Sequence, residues 1–334
     1  MVPIMGIFGT GRSGSTWLGA IVGSHPGVAY RFEPLHRCGE SDPRLRAVLR
    51  KLDTDAGADA DADIDDATLE ELYRALLPAH PETEKPPFIP KDYGTRLGVG
   101  RAALWPLARR FAPAKPLFRW LYTPRDNPVL VFKEVTYERL LHRLLTKTSM
   151  RLVYLVRHPA AVVSSTVKGQ RAGLMSSGRQ QIIAERIRRL DPDMPQRLRF
   201  DPANLCPLEI EALQWRFDVE EGLKAARASG NALVVLYEEL CDKPSEVSDR
   251  VFRHFGLTMP EQTRKFIEDS TRPQVPQRVK HGEIGINSYF SVFRNPAESK
   301  SKWRTQMSSD DQDRILRLVE DSSAFAYGRA AGQW

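Results

Sequence analysis

Residues 9–16 form a glycine-rich segment of the kind that binds phosphate. Gly9 and Gly14 have the spacing of the two glycines in the pattern G-x-x-x-x-G-K-[ST], and Thr16 takes the place of its final hydroxyl residue. Ser15 stands where that pattern has the lysine that neutralises the β- and γ-phosphates of a nucleoside triphosphate. Backbone amides at the start of a helix bind an anion whatever the side chains are. The segment therefore predicts a phosphate site that lacks the cation used in γ-phosphate chemistry.

A second group of anion-binding side chains follows a later apolar segment. The run Leu152 to Val156 ends in Arg157, with Ser164 and Ser165 shortly after it. In a phosphate-loop kinase the comparable strand ends in an aspartate that holds the metal ion. Arg12 supplies a cation within the glycine loop itself. Two separate cationic sites without a metal-binding carboxylate suggest a nucleotide phosphorylated at two places and bound without metal.

The elements that must position these residues alternate between strand and helix patterns. Apolar runs predict strands at 3–8, 28–32, 129–133, 151–156 and 232–237, and helical spacing covers 136–147, 160–167, 209–228 and 245–255. Short strands between helices indicate a single α/β domain with a parallel sheet covered on both faces. Within it, we expect residues 40–127 to form a long insertion and residues 270–310 a polar tail over the site.

Composition and charge limit the possible ligands and compartments. The 334 residues carry a net charge of +7, which favours anionic ligands, and the basic stretch 91–125 interleaves arginines with aromatic residues. The chain has three cysteines without a C-x-x-C pair, and its first strand begins almost at Met1. We therefore expect a cytoplasmic protein without a signal peptide.

Two motifs together resemble a known family. The run Gly11-Arg12-Ser13-Gly14-Ser15-Thr16-Trp17-Leu18 resembles the 5′-phosphosulfate-binding loop of sulfotransferases that use PAPS (3′-phosphoadenosine 5′-phosphosulfate). The segment from Arg157-His158-Pro159 to Ser165 is similar to their 3′-phosphate-binding segment. Phe32-Glu33-Pro34-Leu35 is similar to a segment of the carbohydrate and bacterial branches more than to the cytosolic phenol and steroid branch. The resemblance implies a phosphate-loop-type sheet and metal-free, in-line transfer of a sulfuryl group from PAPS to an acceptor hydroxyl or, less often, an amine.

The resemblance also implies roles for individual residues in nucleotide binding. It implies that Trp17 stacks on adenine and that Tyr237 contacts the base. It assigns Arg157 and Ser165 to the 3′-phosphate. The 5′-phosphosulfate would contact the loop residues, which are Gly11, Arg12, Ser13, Gly14, Ser15 and Thr16. Arg278 and Lys280 are stand-ins for an Arg-Lys-Gly segment of the cytosolic branch. From the residues alone, Trp17 is also compatible with packing in the core, and Ser164 and Ser165 are compatible with polar positions inside a helix.

Four residues are candidates for catalysis. Glu33 follows the second predicted strand, and in some family members the matching glutamate is the base; His36 is its competitor. Lys133, which ends the predicted strand 129–133, is a candidate partner for the sulfuryl oxygens, and Arg12 for the leaving phosphate. Glu33 could instead form a structural ion pair with Arg12 or Arg31, and Lys133 and His36 could be surface residues.

Several questions stay open at the level of sequence. The alternatives are a phosphate-loop nucleotide kinase and a non-enzymatic protein that binds polyanions or membranes through residues 91–125, and we expect no nucleic-acid partner. We expect the basic half of the insertion to form a wall or lid over the acceptor and allow it a peripheral membrane contact. The acceptor could be a carbohydrate, a lipid or another natural product. Lys302-Trp303-Arg304 resembles a late basic-aromatic segment of the bacterial and carbohydrate branches, and a solvated charged face fits it equally well.

Overall fold

A five-stranded parallel sheet forms the centre of the protein, in a computed structural model that describes residues 2–52, 64–84, 96–135, 138–272 and 295–334. The strands are β1 (Ile4–Gly9), β2 (Val28–Phe32), β3 (Val129–Val135), β4 (Leu152–Val156) and β5 (Ala232–Leu236). Their order in the sheet is β2-β3-β1-β4-β5, and every neighbouring pair is parallel. The α/β fold predicted from the alternating pattern is confirmed, and each predicted strand is present.

Helices connect and cover the strands. In chain order they are α1 (Ser15–Gly23), α2 (Pro34–Cys38), α3 (Pro43–Leu52), α4 (Asp66–Leu76), α5 (Arg96–Arg110), α6 (Ala114–Tyr122), α7 (Glu138–Lys147), α8 (Pro159–Arg171), α9 (Gln180–Leu190), α10 (Met194–Leu198), α11 (Pro207–Ala228), α12 (Tyr237–Asp242), α13 (Pro244–His254), α14 (Glu261–Thr271), α15 (Pro296–Gln306), α16 (Ser309–Val319) and α17 (Ser323–Ala330), with a short 3₁₀ turn at Pro202–Asn204. The four predicted helical segments correspond to α7, α8, α11 and α13. Of the described helices, none has both the length and the apolarity that crossing a membrane requires.

The sheet divides the hydrophobic core into two layers. On one face, side chains such as Ile7 and Val131 pack against Leu18 of α1 and Phe252 of α13. On the other face, Phe8 and Phe132 belong to a larger cluster that includes residues of α7, α8, α11 and α16. Strands buried on both faces explain why their sequences are apolar runs rather than alternating patterns. Because all strands are parallel, their carboxyl ends lie at one edge, and the candidate site residues follow these ends.

The insertion between β2 and β3 is helical where the structure describes it. Helices α5 and α6 form a hairpin, and Trp105 and Phe118 are buried in a small cluster with Ala79 and Ala108. The Trp105 indole nitrogen donates to the Pro81 carbonyl at 2.7 Å. The hairpin is thus fixed to the rest of the insertion by its own small core.

Candidate active site

The glycine loop joins β1 to α1 through a left-handed turn. Arg12 has φ 68° and Gly14 has φ 96°, a region that side chains other than glycine seldom adopt. A Cβ atom added at Gly14 would lie 2.3 Å from the ring of Tyr237, so a side chain cannot fit there. Gly14 therefore allows both the turn and the close packing of the ring against the loop.

The amino-terminal end of α1 is arranged as an anion site. The helix begins at Ser15 with Gly14 as its N-cap, a residue without a side chain to cap the helix, and its first turn contains no acidic residue. The first amides of an α-helix have no acceptor within the helix, and the helix dipole adds positive potential at this end. Gly11, Ser15 and Thr16 line the adjoining cavity, so these amides can reach an anion bound there.

Ser13 is placed differently from the other loop residues. Its side chain is fully buried, and it does not line the cavity. Its N–H donates to the Thr10 carbonyl at 3.1 Å, which closes the turn. The Ser13 hydroxyl thus does not face the cavity, and a contact of Ser13 with the phosphosulfate stays a prediction.

The cavity beside the loop has a volume of about 1020 Å³ and extends across the sheet edge. Its lining comes from the glycine loop, the ends of β2 and β3 with the residues that follow β2, the segment from Arg157 to Arg179, α11, the start of α12, and α15. The insertion adds Trp105 and Arg109 to the wall. The cavity thus unites nearly all described residues that the sequence singled out, together with residues that it did not.

The two predicted anion sites form one continuous surface. Arg12 Nε donates to the Ser165 hydroxyl at 2.9 Å, which links the glycine loop to α8. Arg157 donates to the backbone carbonyl of Arg12 at 3.0 Å, and its guanidinium lies 4.3 Å from the centre of the Tyr237 ring. Ser164 also lines the cavity. These two contacts fix the orientation of the Arg157 guanidinium, so that it can bind an anion in the cavity.

Helix α15 completes this end of the cavity. Trp303 stacks on the His158 ring with centroids 4.4 Å apart, and the Ser299 carbonyl accepts a hydrogen bond from Arg157. Burial, together with the charges of Arg304 and Arg157, lowers the pKa of His158 to about 3, so this ring is neutral. Within the basic-aromatic segment 302–304, Trp303 is buried while its two basic neighbours are exposed. The solvated-face interpretation thus fails for Trp303, and Lys302, although exposed, lines the cavity.

A half-buried carboxylate with two cationic partners lies at the ends of β2 and β3. Glu33 Oε1 accepts from Lys133 Nζ at 2.6 Å, and Glu33 Oε2 accepts from Arg37 at 3.0 Å. Lys133 is 2% exposed, and its Nζ lies 4.7 Å from the centre of the Phe32 ring. The alternative of a surface lysine at 133 is therefore wrong. The ion pair of Glu33 forms with Lys133 and Arg37 and not with Arg31, which pairs with Glu84, while Arg12 donates to Ser165.

The charge of Glu33 follows from these partners. Burial acts to raise the pKa of Glu33, but the charges and hydrogen bonds of Lys133 and Arg37 outweigh it, so its pKa lies below the usual value. Its backbone is left-handed, with φ 47°, at the N-cap of α2. Next to it, Glu134 is fully buried and accepts from the Leu35 N–H at 2.6 Å, and burial raises its pKa to about 8. One carboxyl is thus ionised at neutral pH, while its neighbour keeps a proton.

The remaining predicted residues vary in exposure. Trp17 is 8% exposed and donates to the Ser270 hydroxyl at 3.1 Å, so it packs in the core while one edge lines the cavity. Tyr237 is also largely buried and lines the cavity, and burial raises its pKa. His36 is exposed at the cavity wall. Arg278 and Lys280 lie outside the described residues, so their roles stay predictions.

Other cavity residues were not predicted from the sequence. Arg37 could have been found, because it follows Glu33 by one helical turn. Lys168, Met175 and Arg179 also line the cavity, but they carry no motif that would select them. Among the described residues, no group of three or more His, Cys, Asp or Glu side chains is placed to hold a metal ion.

Comparisons with known proteins agree with the two motifs. A family model described as the sulfotransferase family matches residues 3–214, which is more than half of the chain. Carbohydrate sulfotransferase 1 of Danio rerio is 24% identical over 335 residues, which cover 92% of this chain and 73% of that protein.

Three solved structures with similar chains are described as sulfotransferases. The sulfotransferase domain of the Synechococcus olefin synthase is 18% identical with a TM-score of 0.44, covering 95% of this chain and 93% of that one. The domain from the curacin biosynthetic pathway is 16% identical with a TM-score of 0.45, covering 94% and 95%. A mouse sulfotransferase complexed with PAP is 14% identical with a TM-score of 0.45, covering 99% and 88%. The assignment rests on the family model, and it confirms the resemblance of the anion-binding motifs: this chain belongs to the sulfotransferase family.

Proposed function

We propose that this enzyme transfers a sulfuryl group from PAPS to a hydroxyl group of an acceptor. The proposal rests on one observation, that a single cavity contains two sets of groups. The first is the uncapped start of α1 with Arg12 and Arg157, and the second is the Glu33–Lys133 pair at the ends of β2 and β3. The first set suits the two anionic groups of the donor, and the second suits proton transfer and charge stabilisation.

The donor fits the loop for reasons of charge and space. The amides at the start of α1 and the Arg12 side chain would bind the 5′-phosphosulfate, while Arg157 and Ser165 would bind the 3′-phosphate. Because Arg12 and Ser165 contact each other, the two phosphate groups would lie on one continuous surface. Tyr237 and the exposed edge of Trp17 would face the adenine.

The reaction is then an in-line displacement at sulfur. The Glu33 carboxylate accepts the proton of the acceptor hydroxyl as the acceptor oxygen forms its bond to sulfur. The bond from sulfur to the bridging oxygen of the 5′-phosphate breaks, and adenosine 3′,5′-bisphosphate (PAP) leaves. Lys133, which donates to Glu33 in this structure, would donate to the sulfuryl oxygens, while Arg12 and the helix terminus stabilise the charge on the leaving phosphate.

The acceptor is proposed only as a class. A carbohydrate, a lipid or another natural product with a free hydroxyl fits a cavity of about 1020 Å³. The similarity to a carbohydrate sulfotransferase favours a carbohydrate-bearing acceptor among these.

A product-mass screen tests the function. The enzyme is incubated with PAPS and an acceptor panel, and each acceptor is examined for the added sulfuryl mass while released PAP is quantified. We expect one acceptor class to gain the group in amounts equal to the PAP formed. Glu33→Gln is the matched control, because it keeps the size of the side chain and removes the base. Transfer of phosphate from magnesium ATP, with PAPS inactive, would show that the enzyme is a kinase.

A further inference from the structure

The hairpin formed by α5 and α6 exposes an apolar surface, between Leu107 and Leu121, that the proposed reaction does not use. Eight large hydrophobic side chains are exposed in the described part of the chain, and five of them lie here: Leu107 (49%), Phe111 (53%), Leu117 (49%), Trp120 (64%) and Leu121 (46%). Such a concentration on one hairpin is typical of an interaction site.

Helix α6 is apolar on two faces. Phe118 is fully buried and, with Ala114 and Tyr122, packs towards Trp105. The side chains at 117, 120 and 121, spaced three and four residues apart, point the other way and are exposed. The inner face fixes the hairpin to the protein, so packing among the described residues does not explain the outer face.

The charge of the hairpin indicates what covers this surface. From residue 93 to residue 125 the sequence has no aspartate or glutamate and has seven basic residues: Arg96, Arg101, Arg109, Arg110, Lys115, Arg119 and Arg125. Those at 109, 110, 115, 119 and 125 are exposed next to the apolar side chains, and Arg125 lies over the Trp120 ring at 5.6 Å. An apolar face flanked by cations is the pattern that binds the surface of a bilayer containing anionic lipids.

We propose that the hairpin docks this enzyme on an anionic membrane surface, with Phe111, Leu117, Trp120 and Leu121 inserted at the level of the headgroups. The basic side chains would then face the lipid phosphates, while the body of the protein stays in water. This proposal stands on the exposed residues and their charge, independently of the reaction.

Docking in this orientation would bring the cavity close to the bilayer. Trp105 and Arg109, on the same hairpin, line the cavity. The acceptor would then be a lipid whose carbohydrate headgroup presents the hydroxyl at the membrane surface. This step rests on the proposed function, and the following experiment does not require it.

Co-sedimentation with vesicles tests the docking in the absence of PAPS. The full chain is mixed with vesicles of phosphatidylcholine alone or of phosphatidylcholine with phosphatidylglycerol. We expect binding to the anionic vesicles, decreasing with salt, and little binding to the neutral ones. A double variant, Trp120→Glu with Leu121→Glu, should lower the affinity by about tenfold or more, because it removes apolar burial and adds repulsion.

Controls separate docking from folding and from other partners. Ile182→Glu alters a side chain that is 57% exposed on α9, outside the hairpin, and should bind vesicles like the wild type. All variants should keep the wild-type melting temperature and its increase with PAP, which shows an intact fold and nucleotide site. Equal binding by the double variant, or absence of binding to anionic vesicles, would overturn the proposal. So would a wild-type dimer in light scattering that the double variant converts to a monomer, since a second copy would then cover the surface.

Discussion

Glu33 combines the features expected of a general base with those of a structural ion pair. Its carboxylate accepts from Lys133 at 2.6 Å and from Arg37 at 3.0 Å, and these partners keep its pKa below the usual value. The residue also has a left-handed backbone, which costs energy and is often found at functional sites. A group that only stabilised the fold would not need to face the cavity.

Removing the carboxylate tests this role. Glu33→Gln should lower kcat by about 10²–10⁴-fold, as expected for the loss of a general base, while PAP still raises the melting temperature. His36→Ala should be milder, because His36 is exposed at the wall of the cavity. Steady-state kinetics with the best acceptor of the panel measures both variants. Near-normal turnover in Glu33→Gln together with a large loss in His36→Ala would assign the base to the histidine.

The neighbouring Glu134 predicts a pH dependence of stability. Burial raises its pKa to about 8, although its bond with the Leu35 N–H acts in the opposite direction. The folded protein thus holds this proton more tightly than the unfolded chain, so this group's contribution to the free energy of unfolding falls as pH rises from about 4 to about 8. Glu134→Gln stays neutral and should gain stability relative to the wild type across that range. Urea unfolding at several pH values measures this gain, and a difference that does not change with pH would contradict it.

The sequence predicted the residue types of the site better than their contacts. Glu33 and Lys133 were both candidates, but their pairing depends on the register that aligns Phe32 with Lys133 across two strands, and this alignment has no local signal. The burial of Ser13 likewise depends on how the loop turns. Only the Glu33–Arg37 contact follows from spacing along a single helix.

At the level of elements, we propose that the turn from β4 into α8 selects the nucleotide. Arg157 begins that turn, and its guanidinium is directed by the Arg12 carbonyl and the Tyr237 ring. PAP, which carries a 3′-phosphate, should therefore raise the melting temperature without magnesium, and ADP should do so much less. Arg157→Ala should remove this difference. Arg253→Ala, an exposed arginine on α13, is the matched control and should keep it. Equal shifts for PAP and ADP in the wild type would contradict the 3′-phosphate assignment.

The insertion should act on the acceptor rather than on the donor. Arg109 lines the cavity and is held by Glu82 at 2.8 Å, whereas its neighbour Arg110 is an exposed residue that does not line it. Arg109→Ala should raise the acceptor KM several-fold and leave the PAPS KM unchanged. The reason is that it removes an oriented guanidinium from the cavity wall expected to contact the acceptor. Arg110→Ala, measured with a water-soluble acceptor, should leave both constants unchanged. An increase confined to the PAPS KM would place Arg109 on the donor instead.

The elements themselves were largely predictable, because strands buried on both faces and amphipathic helices leave clear patterns. All five strands and the helices α7, α8, α11 and α13 follow from these patterns. The position of α15 follows only in part, because the sequence predicts residues 270–310 over the site but does not predict the stacking of Trp303 on the distant His158. Nothing near either residue indicates the other.

At the scale of the whole molecule, the parallel sheet explains why distant segments make one site. Arg12 and Ser165 are 153 positions apart in sequence, yet they share a hydrogen bond because β1 and β4 are neighbours with their carboxyl ends at the same edge. The sheet order places β3, with Lys133, on the other side of β1. The glycine loop therefore lies between the nucleotide side and the catalytic side of the cavity.

This cavity should transfer a sulfuryl group from PAPS and not a phosphoryl group from ATP. The most direct measurement follows a sulfur label from PAPS into an acceptor with purified wild-type protein, in parallel with a phosphate label from magnesium ATP. We predict that the sulfur label enters the acceptor in proportion to the PAP released, that Glu33→Gln slows this transfer strongly, and that the phosphate label is not transferred. Transfer of the phosphate label with none of the sulfur label would contradict the account.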